Sequence, residues 1–220
     1  MAQTTAAPRI SALQLDGLSN GTEAELHEEG VHENQRFESV DLAGADCAAE
    51  EFVDCELVGV DADATDFQGT RFANTRLIRW SAPRFLAPYS TLRSVVVQES
   101  RLGAAEVYQS ELRWVVFQDC KIEWLNLTHS KLFDVRFENC TFGEIDLSET
   151  QNTRVAFTSC SAEAIRLRQA THRDVDLRGL SCGVVHDPEG LRSATVGFEQ
   201  VTEWAPQFAA HFGARLEDIQ

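Results

Sequence analysis

An apolar residue returns at every fifth position through two thirds of this chain. The series starts at Phe37 and ends at Cys182, and its thirty members are all apolar except Asn152 and His172. Amphipathic helices repeat every 3.6 residues and half-buried strands every second residue, so neither element sustains a five-residue period. The pattern therefore predicts a solenoid that is built from short repeated units.

A second series of mostly small or β-branched residues lies two positions before members of the first series. It includes Val40, Ala45, Cys55, Val60, Thr65, Thr70 and Thr75. The other three positions of each unit are mostly charged, polar or glycine, as in Val40-Asp41-Leu42-Ala43-Gly44. This pattern resembles the pentapeptide-repeat family, whose unit reads loosely A(D/N)LXX. The resemblance covers residues 35–183 and implies an all-β fold, a right-handed parallel quadrilateral β-helix with one pentapeptide on each side.

Like residues recur at a spacing of 20, which supports a turn of four pentapeptides independently of the resemblance. The columns are Val95, Val115, Val135, Val155 and Val175; Phe117, Phe137 and Phe157; Cys120, Cys140 and Cys160; and Thr70, Ser90, Ser110, Ser130 and Thr150. Such columns are expected where successive coils stack side chain on side chain. Thirty pentapeptides make about 7.5 coils, and at roughly 4.8 Å for each layer the rod is about 36 Å long.

One stretch, residues 80–88, exchanges the sizes of the two inward positions. Trp80 pairs with Ala82 and Phe85 pairs with Ala87, so the bulky residue takes the small site. The exchange roughly conserves the interior volume, and changes that conserve volume are the best tolerated in a packed core. We therefore expect a local change in the shape of one side and no break in the coil.

Both ends of a stacked β-helix expose unpaired strand edges, so repeat arrays carry terminal caps. Residues 1–34 are predicted to form an N-terminal cap, irregular or strand-like. Residues 184–220 are predicted to form a C-terminal cap that contains a short α-helix. The expected apolar anchors of the N-terminal cap are Ile10, Leu13, Leu15 and Leu18.

The predicted C-terminal helix lies within residues 193–213. Pro206 is expected to kink it or to divide it into two short helices. The helix either caps the last coil only, or also joins two copies of the chain, as the resemblance to gyrase-directed members of the family implies. The protein is then a monomer or a dimer. The apolar residues at helical spacing are Val201, Trp204, Phe208 and Phe212.

The net charge of −16 is concentrated at the N-terminal end. Residues 1–70 hold 16 acidic residues against Arg9 and Arg36, a net charge of −14, whereas residues 71–190 hold 15 acidic and 15 basic residues. An acidic end repels phosphate groups, so we expect no direct binding of nucleic acid. The predicted acidic surface consists of Asp41, Asp46, Glu51, Glu56, Asp61 and Asp66.

Aromatic and apolar residues at outward positions are the candidates for contact with a protein partner, since neighbouring exposed aromatic residues often mark a contact site. Trp114 and Phe133 are predicted to share one side of adjacent coils. Val96 and Val116 are also predicted to face outwards. The candidate partner-binding residues are Trp114, Phe133, Tyr108, Trp124, Leu86 and Tyr89.

No catalytic, cofactor-binding or metal-binding residue is predicted. The six cysteines show no C-x-x-C spacing and the six histidines show no H-E-x-x-H motif. The stacked cysteines are interpreted as small buried residues of the interior. Asn152 and His172 are expected to be neighbours that hydrogen-bond to each other or to the cap. No cofactor is therefore expected.

The chain also shows no sequence signal for membrane insertion or secretion. Its apolar runs are only a few residues long, and residues 1–9 contain no apolar segment typical of a signal peptide. A cytoplasmic location with reduced cysteines is therefore expected.

Three functions follow from these observations. The first is a non-enzymatic interaction module that presents a rigid β-helical surface to a protein partner. The second, implied by the resemblance, is a DNA-mimicking modulator of DNA gyrase of the quinolone-resistance type; the acidity that stops near residue 70 and the uninterrupted coils do not favour it. The third is an enzyme of unknown type, and the absence of a catalytic constellation argues against it.

Overall fold

Residues 4–26 and 30–217 are described by a computed structural model, in which most of them form a parallel β-helix of about nine turns. A sheet of 12 strands carries two sides of the coil. Its strands are β1 (Ser19–Asn20), β2 (Val31–Glu33), β3 (Gln35–Glu38), β4 (Glu51–Val53), β5 (Glu56–Val58), β6 (Arg71–Ile78), β8 (Thr91–Gln98), β10 (Glu111–Gln118), β12 (Lys131–Glu138), β14 (Gln151–Thr158), β16 (Thr171–Asp176) and β18 (Ala194–Thr195).

A second sheet of six strands closes the coil. Its strands are β7 (Ser81–Leu86), β9 (Arg101–Glu106), β11 (Lys121–Asn126), β13 (Thr141–Asp146), β15 (Cys160–Arg166) and β17 (Leu180–His186). The helical elements lie at the two ends of the chain. They are α1 (Glu23–Leu26), a 3-10 helix (Pro188–Leu191) and α2 (Phe198–His211).

Neighbouring strands pair in parallel with a register of 20 residues. This register runs from the Val31–Glu51 pair to the Arg166–His186 pair. Like residues therefore lie directly above one another, and the predicted β-helix with four pentapeptides per turn is confirmed. The spacing is shorter at the two ends, where Ser19 pairs with Gln35 and Val175 pairs with Ala194.

The larger inward series forms stacked columns that fill the coil. Phe117, Phe137 and Phe157 stack with ring centroids 5.0 and 4.7 Å apart and nearly parallel planes. These rings and the valines beside them are buried. The interior is therefore a solid apolar core that runs the length of the rod.

Hydroxyls of the smaller inward series are hydrogen-bonded inside the coil. Thr70 Oγ1 donates to the Cys47 carbonyl at 2.7 Å, and Ser90 Oγ donates to the Phe67 carbonyl at 2.9 Å. Both hydroxyls are buried, so each would be costly without an acceptor. Serine and threonine therefore fit this series as well as small apolar residues do.

The stretch of exchanged sizes continues the coil without a break. Trp80 and Phe85 are buried together with Ala82 and Ala87, and β7 keeps its parallel register with β9. Trp80 Nε1 donates to the Leu57 carbonyl at 3.1 Å. An apolar void of about 20 Å³ lies beside the two rings. The exchange therefore changes the local shape of the core and nearly conserves its volume.

The corners of the coil are made by residues in the left-handed backbone conformation. They recur at every fifth residue from Asn34 to Arg79 and at three of the four corners of the central turns after that. Asparagine, aspartate and glycine tolerate this conformation best. In two successive turns they are Gln109, Trp114 and Asp119, and then His129, Asp134 and Asn139, all with φ between 52° and 59°.

Residues 4–18, named here the N-terminal strap, run along the side of the coil and not over its end. The Ala6 N–H donates to Asp174 Oδ1 at 3.1 Å, and the Arg9 N–H donates to Asp134 Oδ1 at 2.9 Å. The strap thus runs from the last coils towards the first. Carboxylates at a corner supply the acceptors that its backbone needs, which is why this part of the predicted cap lies on the side.

The first coil is closed by the residues that follow the strap. α1 buries Leu26, and β2 buries His32, which stacks on Phe52 with ring centroids 4.8 Å apart. The 20-residue register begins at β2, within the segment predicted as a cap. The column of inward residues therefore starts at His32, one unit before Phe37.

α2 covers the last coil as one helix of 14 residues that runs through Pro206. The predicted division at Pro206 is not observed. Trp204 is 1% exposed and packs on the core. Side chains of α2 pair with backbone groups at the last edge, as a further coil would. These bonds run from Gln200 Nε2 to the Leu177 and Leu180 carbonyls, from Trp204 Nε1 to the Cys182 carbonyl, from Gln207 Nε2 to the Gly183 carbonyl, and from the Val185 N–H to Gln207 Oε1, at 2.7–2.9 Å.

Phe137→Ala is expected to lower the free energy of unfolding by about 3–5 kcal/mol, because it removes the middle ring of a stack and leaves a cavity. Phe212→Ala is the matched control: this ring is 79% exposed, and its loss should change stability by less than about 0.5 kcal/mol. Denaturant unfolding followed by circular dichroism measures both. Equal effects would show that the stacked column does not hold the coil together.

Candidate functional site

A ladder of alternating arginine and aromatic side chains lies on one side of the central coils. The Arg93 guanidinium is 5.2 Å from the ring centroid of Trp114, and the Arg113 guanidinium is 5.8 Å from Trp114 and 4.8 Å from Phe133. The Arg154 guanidinium is 4.2 Å from Phe133. These distances lie within the reach of cation–π attraction. We call these five side chains the Arg–aromatic ladder.

The register of the coil builds this ladder. Arg93, Arg113 and Phe133 occupy one column, because β8, β10 and β12 pair at these positions. Trp114 and Arg154 come from the corner column beside it. The sequence predicted that Trp114 and Phe133 share a side, and the structure places them there with three guanidinium groups between and around them. The contact between the two columns could not be predicted from the sequence, since it depends on the backbone conformation of the corner.

Trp114 holds an unusual backbone conformation for a large residue, with φ of 59°. The left-handed region costs a residue with a side chain roughly 1–2 kcal/mol. The neighbouring corner positions one coil away on either side hold the smaller polar residues Ser94 and Asp134. An indole at this corner is set in a fixed position between two guanidinium groups, half-buried and half open to solvent.

Asp134 anchors one end of the ladder. It is 1% exposed, and its two carboxylate oxygens accept hydrogen bonds from Arg154 Nε and Nη2 at 2.6 and 2.8 Å. A third bond comes from the Arg9 N–H of the strap. Burial alone would raise the pKa of Asp134, but the bonds from Arg154 and Arg9 outweigh it and hold the pKa below its ordinary value. Asp134 is therefore a charged, fully paired group at pH 7.

The other candidate partner-binding residues lie away from the ladder. Tyr89 is 52% exposed and contacts Tyr108 edge to face, with ring centroids 5.6 Å apart. Leu86 and Trp124 are half-buried on β7 and β11, in the second sheet. The six predicted residues therefore form no single patch.

Val116 does not face solvent, contrary to expectation, and is 5% exposed. The strap covers this side, and Ile10 and Leu13 lie opposite Val96 and Val116 across a groove of about 600 Å³. The sequence could not show this contact, because the two segments are about a hundred residues apart.

Four aspartates of the predicted acidic surface lie in two stacked pairs. Asp41 lies beside Asp61, and Asp46 lies beside Asp66, one coil apart. Each accepts a hydrogen bond from the backbone N–H two residues later, so these carboxylates also shape the turns. Their position on the outside of the first coils agrees with the sequence pattern.

Glu56 is not part of that exposed surface, although the pattern placed it there. It is 6% exposed and lies between two arginines, Arg36 and Arg76, with Arg76 Nη1 2.7 Å from its carboxylate. Glu51 is half-buried and pairs across the register with Arg71. The exposed acidity of the first coils therefore comes chiefly from the aspartates.

Only part of the predicted apolar face of α2 packs on the coil. Trp204 is buried and Phe208 is half-buried, whereas Val201 and Phe212 are exposed. The face of α2 that packs on the coil contains Gln200, Trp204 and Gln207, because their side chains hydrogen-bond to backbone groups of the last strand edge. The neighbouring stripe, with Phe198 86% exposed, remains uncovered and is the surface through which the predicted dimer would form.

Two buried polar pairs lie near the ends of the coil. His32 Nε2 is 3.2 Å from Glu50 Oε2, and both side chains are buried. The repeat pattern alone does not indicate this pair, although Glu50 occupies a position of the smaller inward series. Asn152 Nδ2 and His172 Nδ1 are 3.2 Å apart, as expected for neighbours in one column. Burial lowers the pKa of His172, so this imidazole is neutral at pH 7.

The described residues offer no site for a metal ion: no group of three or more His, Cys, Asp or Glu side chains converges within 4–26 and 30–217. The cysteines are buried in the interior, and the thiols of Cys120, Cys140 and Cys160 donate to backbone carbonyls at 3.4–3.5 Å. Over the same part of the chain, no helix is both long and apolar enough to cross a membrane.

The fold and these surfaces together define a filled β-helix whose functional groups lie on its outside. Residues 90–167, about a third of the chain, match the family model described as a pentapeptide repeat region. The same 20-residue register extends beyond this match in both directions. The chain thus contains a pentapeptide-repeat region, and the coil continues on both sides of it.

The solved structures to which this chain is similar are distant in sequence. A trypsin-treated variant of QnrB1, a plasmid-mediated fluoroquinolone resistance protein, is 14% identical, with 90% of this chain and 96% of that chain covered and a TM-score of 0.33. HetL, a pentapeptide-repeat protein involved in heterocyst differentiation regulation in the cyanobacterium Nostoc sp. strain PCC 7120, is 12% identical, with 78% and 90% covered and a TM-score of 0.29. No curated protein matches the sequence.

The thiols are expected to be unreactive in the folded protein. Burial raises the pKa of Cys47 to about 12 and that of Cys182 to about 11, and the thiolate is the reactive form. The hydrogen bond with Cys140 lowers the pKa of Cys120, but this thiol is buried and closed to reagents. A thiol-specific chromogenic reagent at pH 8 should therefore label almost none of the six cysteines until denaturant is added. Rapid labelling of a thiol in the folded protein would show an exposed reactive cysteine and reopen the enzyme hypothesis.

Proposed function

We propose that this chain is a non-enzymatic interaction module that presents a rigid β-helical surface to a protein partner. The Arg–aromatic ladder is the observation that carries this proposal. The core of the coil is packed with apolar side chains, so recognition has to use the outside. Arginine and tryptophan are also the residues most enriched in the energetic centres of protein interfaces.

The ladder favours an acidic protein surface as the partner. It carries three guanidinium groups whose faces lie against aromatic rings. Arg113 donates to Glu111 and Arg154 donates to Asp134, so among the described residues Arg93 is the guanidinium whose donors are left for a partner. Lys131 and Arg173 are exposed on the same side of the coil. Carboxylates fit such donors with bidentate geometry. The ladder is held on paired strands, so little conformational entropy is lost when a partner binds.

Affinity capture from the native cell with the purified chain tests this proposal. The variants Trp114→Asn and Phe133→Ala should each weaken capture of the partner about tenfold or more, the effect typical of an interface centre. Asparagine suits the left-handed backbone at position 114, so the first variant removes the indole ring and keeps the backbone conformation of the corner. Trp124→Ala, in the second sheet, is the matched control and should retain the partner.

The charge of the ladder gives a second readout once a partner is in hand. Arg93→Glu should weaken binding, and the wild-type affinity should fall as salt rises, because exposed charges are screened. A partner that both ladder variants and the Trp124 variant retain equally would rule out the ladder as the contact surface.

A DNA-mimicking modulator of gyrase is the alternative that the two stacked aspartate pairs favour. The mimic has to act through Asp41, Asp46, Asp61 and Asp66, since Glu56 is neutralised by arginines. Purified protein should then inhibit supercoiling by gyrase, and the fourfold Asp→Asn variant should lose most of that inhibition at low salt. Trp114→Asn is the control, because it should leave the inhibition unchanged. Inhibition that the fourfold variant retains would exclude the aspartates as the mimic.

A further inference from the structure

The N-terminal strap contacts the coil in the way that an extended peptide ligand contacts its site. Ala6 and Arg9 are three residues apart and donate to Asp174 and Asp134, which are two coils apart in one corner column. Two coils span about 9.6 Å, and three residues of polyproline-II chain span about 9.3 Å. Pro8, between the two donors, suits this extended conformation. The spacing of the two N–H donors in the strap is therefore close to the spacing of the two carboxylates in the corner column.

Side chains of the strap continue the match along the corner. Ala12 lines the same groove as Ser94, which lies two further coils along the column from Asp134. Leu13 contributes its carbonyl oxygen, which accepts a hydrogen bond from Arg76 Nη2 at 3.3 Å. Ile10 and Leu13 lie opposite the apolar pair Val96 and Val116. The corner column thus supplies acceptors for the strap, and the column beside it supplies a donor and an apolar surface.

The strap is nevertheless held loosely compared with the other end of the chain. No side chain in residues 4–18 is fully buried, whereas the C-terminal helix buries Trp204 in the core. The groove of about 600 Å³ beside the strap also shows that the two surfaces do not fill the space between them. Few buried apolar contacts mean that local opening costs little free energy.

We infer that the corner column from Asp174 to Asn74 is a binding site for an extended peptide. The strap occupies this site in the free protein. An extended segment of the protein partner binds there by displacing the strap. The segment that fits is uncharged or basic, contains proline, and offers backbone N–H groups three residues apart. This recognition of backbone groups by an edge or corner of the coil parallels strand addition to an exposed sheet edge. The inference deepens the proposed function and rests on it, since it assumes that the partner is a protein.

Displacement of the strap would change the hydrogen bonds of Asp134, which holds one end of the Arg–aromatic ladder. Asp134 accepts hydrogen bonds from the strap and from Arg154, and Arg154 lies against Phe133. A competing segment that restores the bond to Asp134 leaves Arg154 in place. A partner could therefore occupy the corner column and the ladder as one continuous surface.

Trypsin cleavage of the full-length protein tests the inference, because Arg9 is the only basic residue in the strap. Cleavage after Arg9 reports the opened strap, and cleavage after the exposed Arg215 is the internal reference. The probe is a synthetic peptide of residues 4–18 with Arg9→Gln, which trypsin does not cut. In wild type, cleavage after Arg9 should be slower than after Arg215, and a large excess of peptide should accelerate it severalfold.

Two controls make the result specific. The same peptide with N-methyl groups at positions 6 and 9 lacks the two N–H donors and should not accelerate cleavage. Asp174→Gly should accelerate cleavage after Arg9 without any peptide, by about tenfold for one lost charge-assisted hydrogen bond. Glycine tolerates the φ of 56° at this corner, so the coil should keep its melting temperature.

Each contrary outcome overturns a defined part of the inference. Equal cleavage after Arg9 and Arg215 would show that the strap is not a resident occupant. Acceleration by both peptides, or by neither, would show that the column does not recognise an extended backbone. None of these results depends on capture of a partner, so failure here is distinguishable from failure of the ladder variants.

Discussion

Stacking of like side chains one turn apart is the interaction on which this molecule depends. A register of 20 residues places Phe117, Phe137 and Phe157 on one another in successive coils, and does the same for Val115, Val135 and Val155. Parallel strand pairing satisfies the backbone, and the stacked rings and methyl groups supply the apolar contact. A substitution that adds or removes side-chain volume in one coil would disturb the packing of the coils above and below it. The regularity of the repeat therefore follows from packing as much as from hydrogen bonding.

The ends of the coil show how this interaction is brought to a stop. At the C-terminal edge, side-chain amides of Gln200 and Gln207 replace the backbone groups of a missing coil, and Trp204 covers the core. At the N-terminal edge, His32 begins the aromatic column and pairs with the buried Glu50. The side-chain amides of Gln200 and Gln207 occupy the backbone groups of the C-terminal edge that a second β-helix would need. Edge association is thereby suppressed at the C-terminal end.

The corners carry the features that distinguish one side of the coil from another. Their backbone conformation turns a side chain outwards and along the axis, so a corner residue reaches its neighbours in adjacent columns. Trp114 and Arg154 build the Arg–aromatic ladder in this way, while Asp134 and Asp174 hold the strap. Under the proposed function, a partner is recognised by a corner of the rod and the sides beside it. Rigid placement of these groups is what the repeated core provides.

The amino-acid sequence by itself determined the five-residue period, the 20-residue turn, the filled interior and the outward position of Trp114, Phe133 and the four aspartates. Those properties are periodic, and a period can be counted along a chain. The tertiary structure alone decided that Val116 is covered by the strap and that α2 leaves Phe198 and Phe212 exposed. These outcomes depend on contacts between segments that have no repeat in common, at the two ends of the chain. No period relates such segments, so their meeting follows only from the shape of the folded coil.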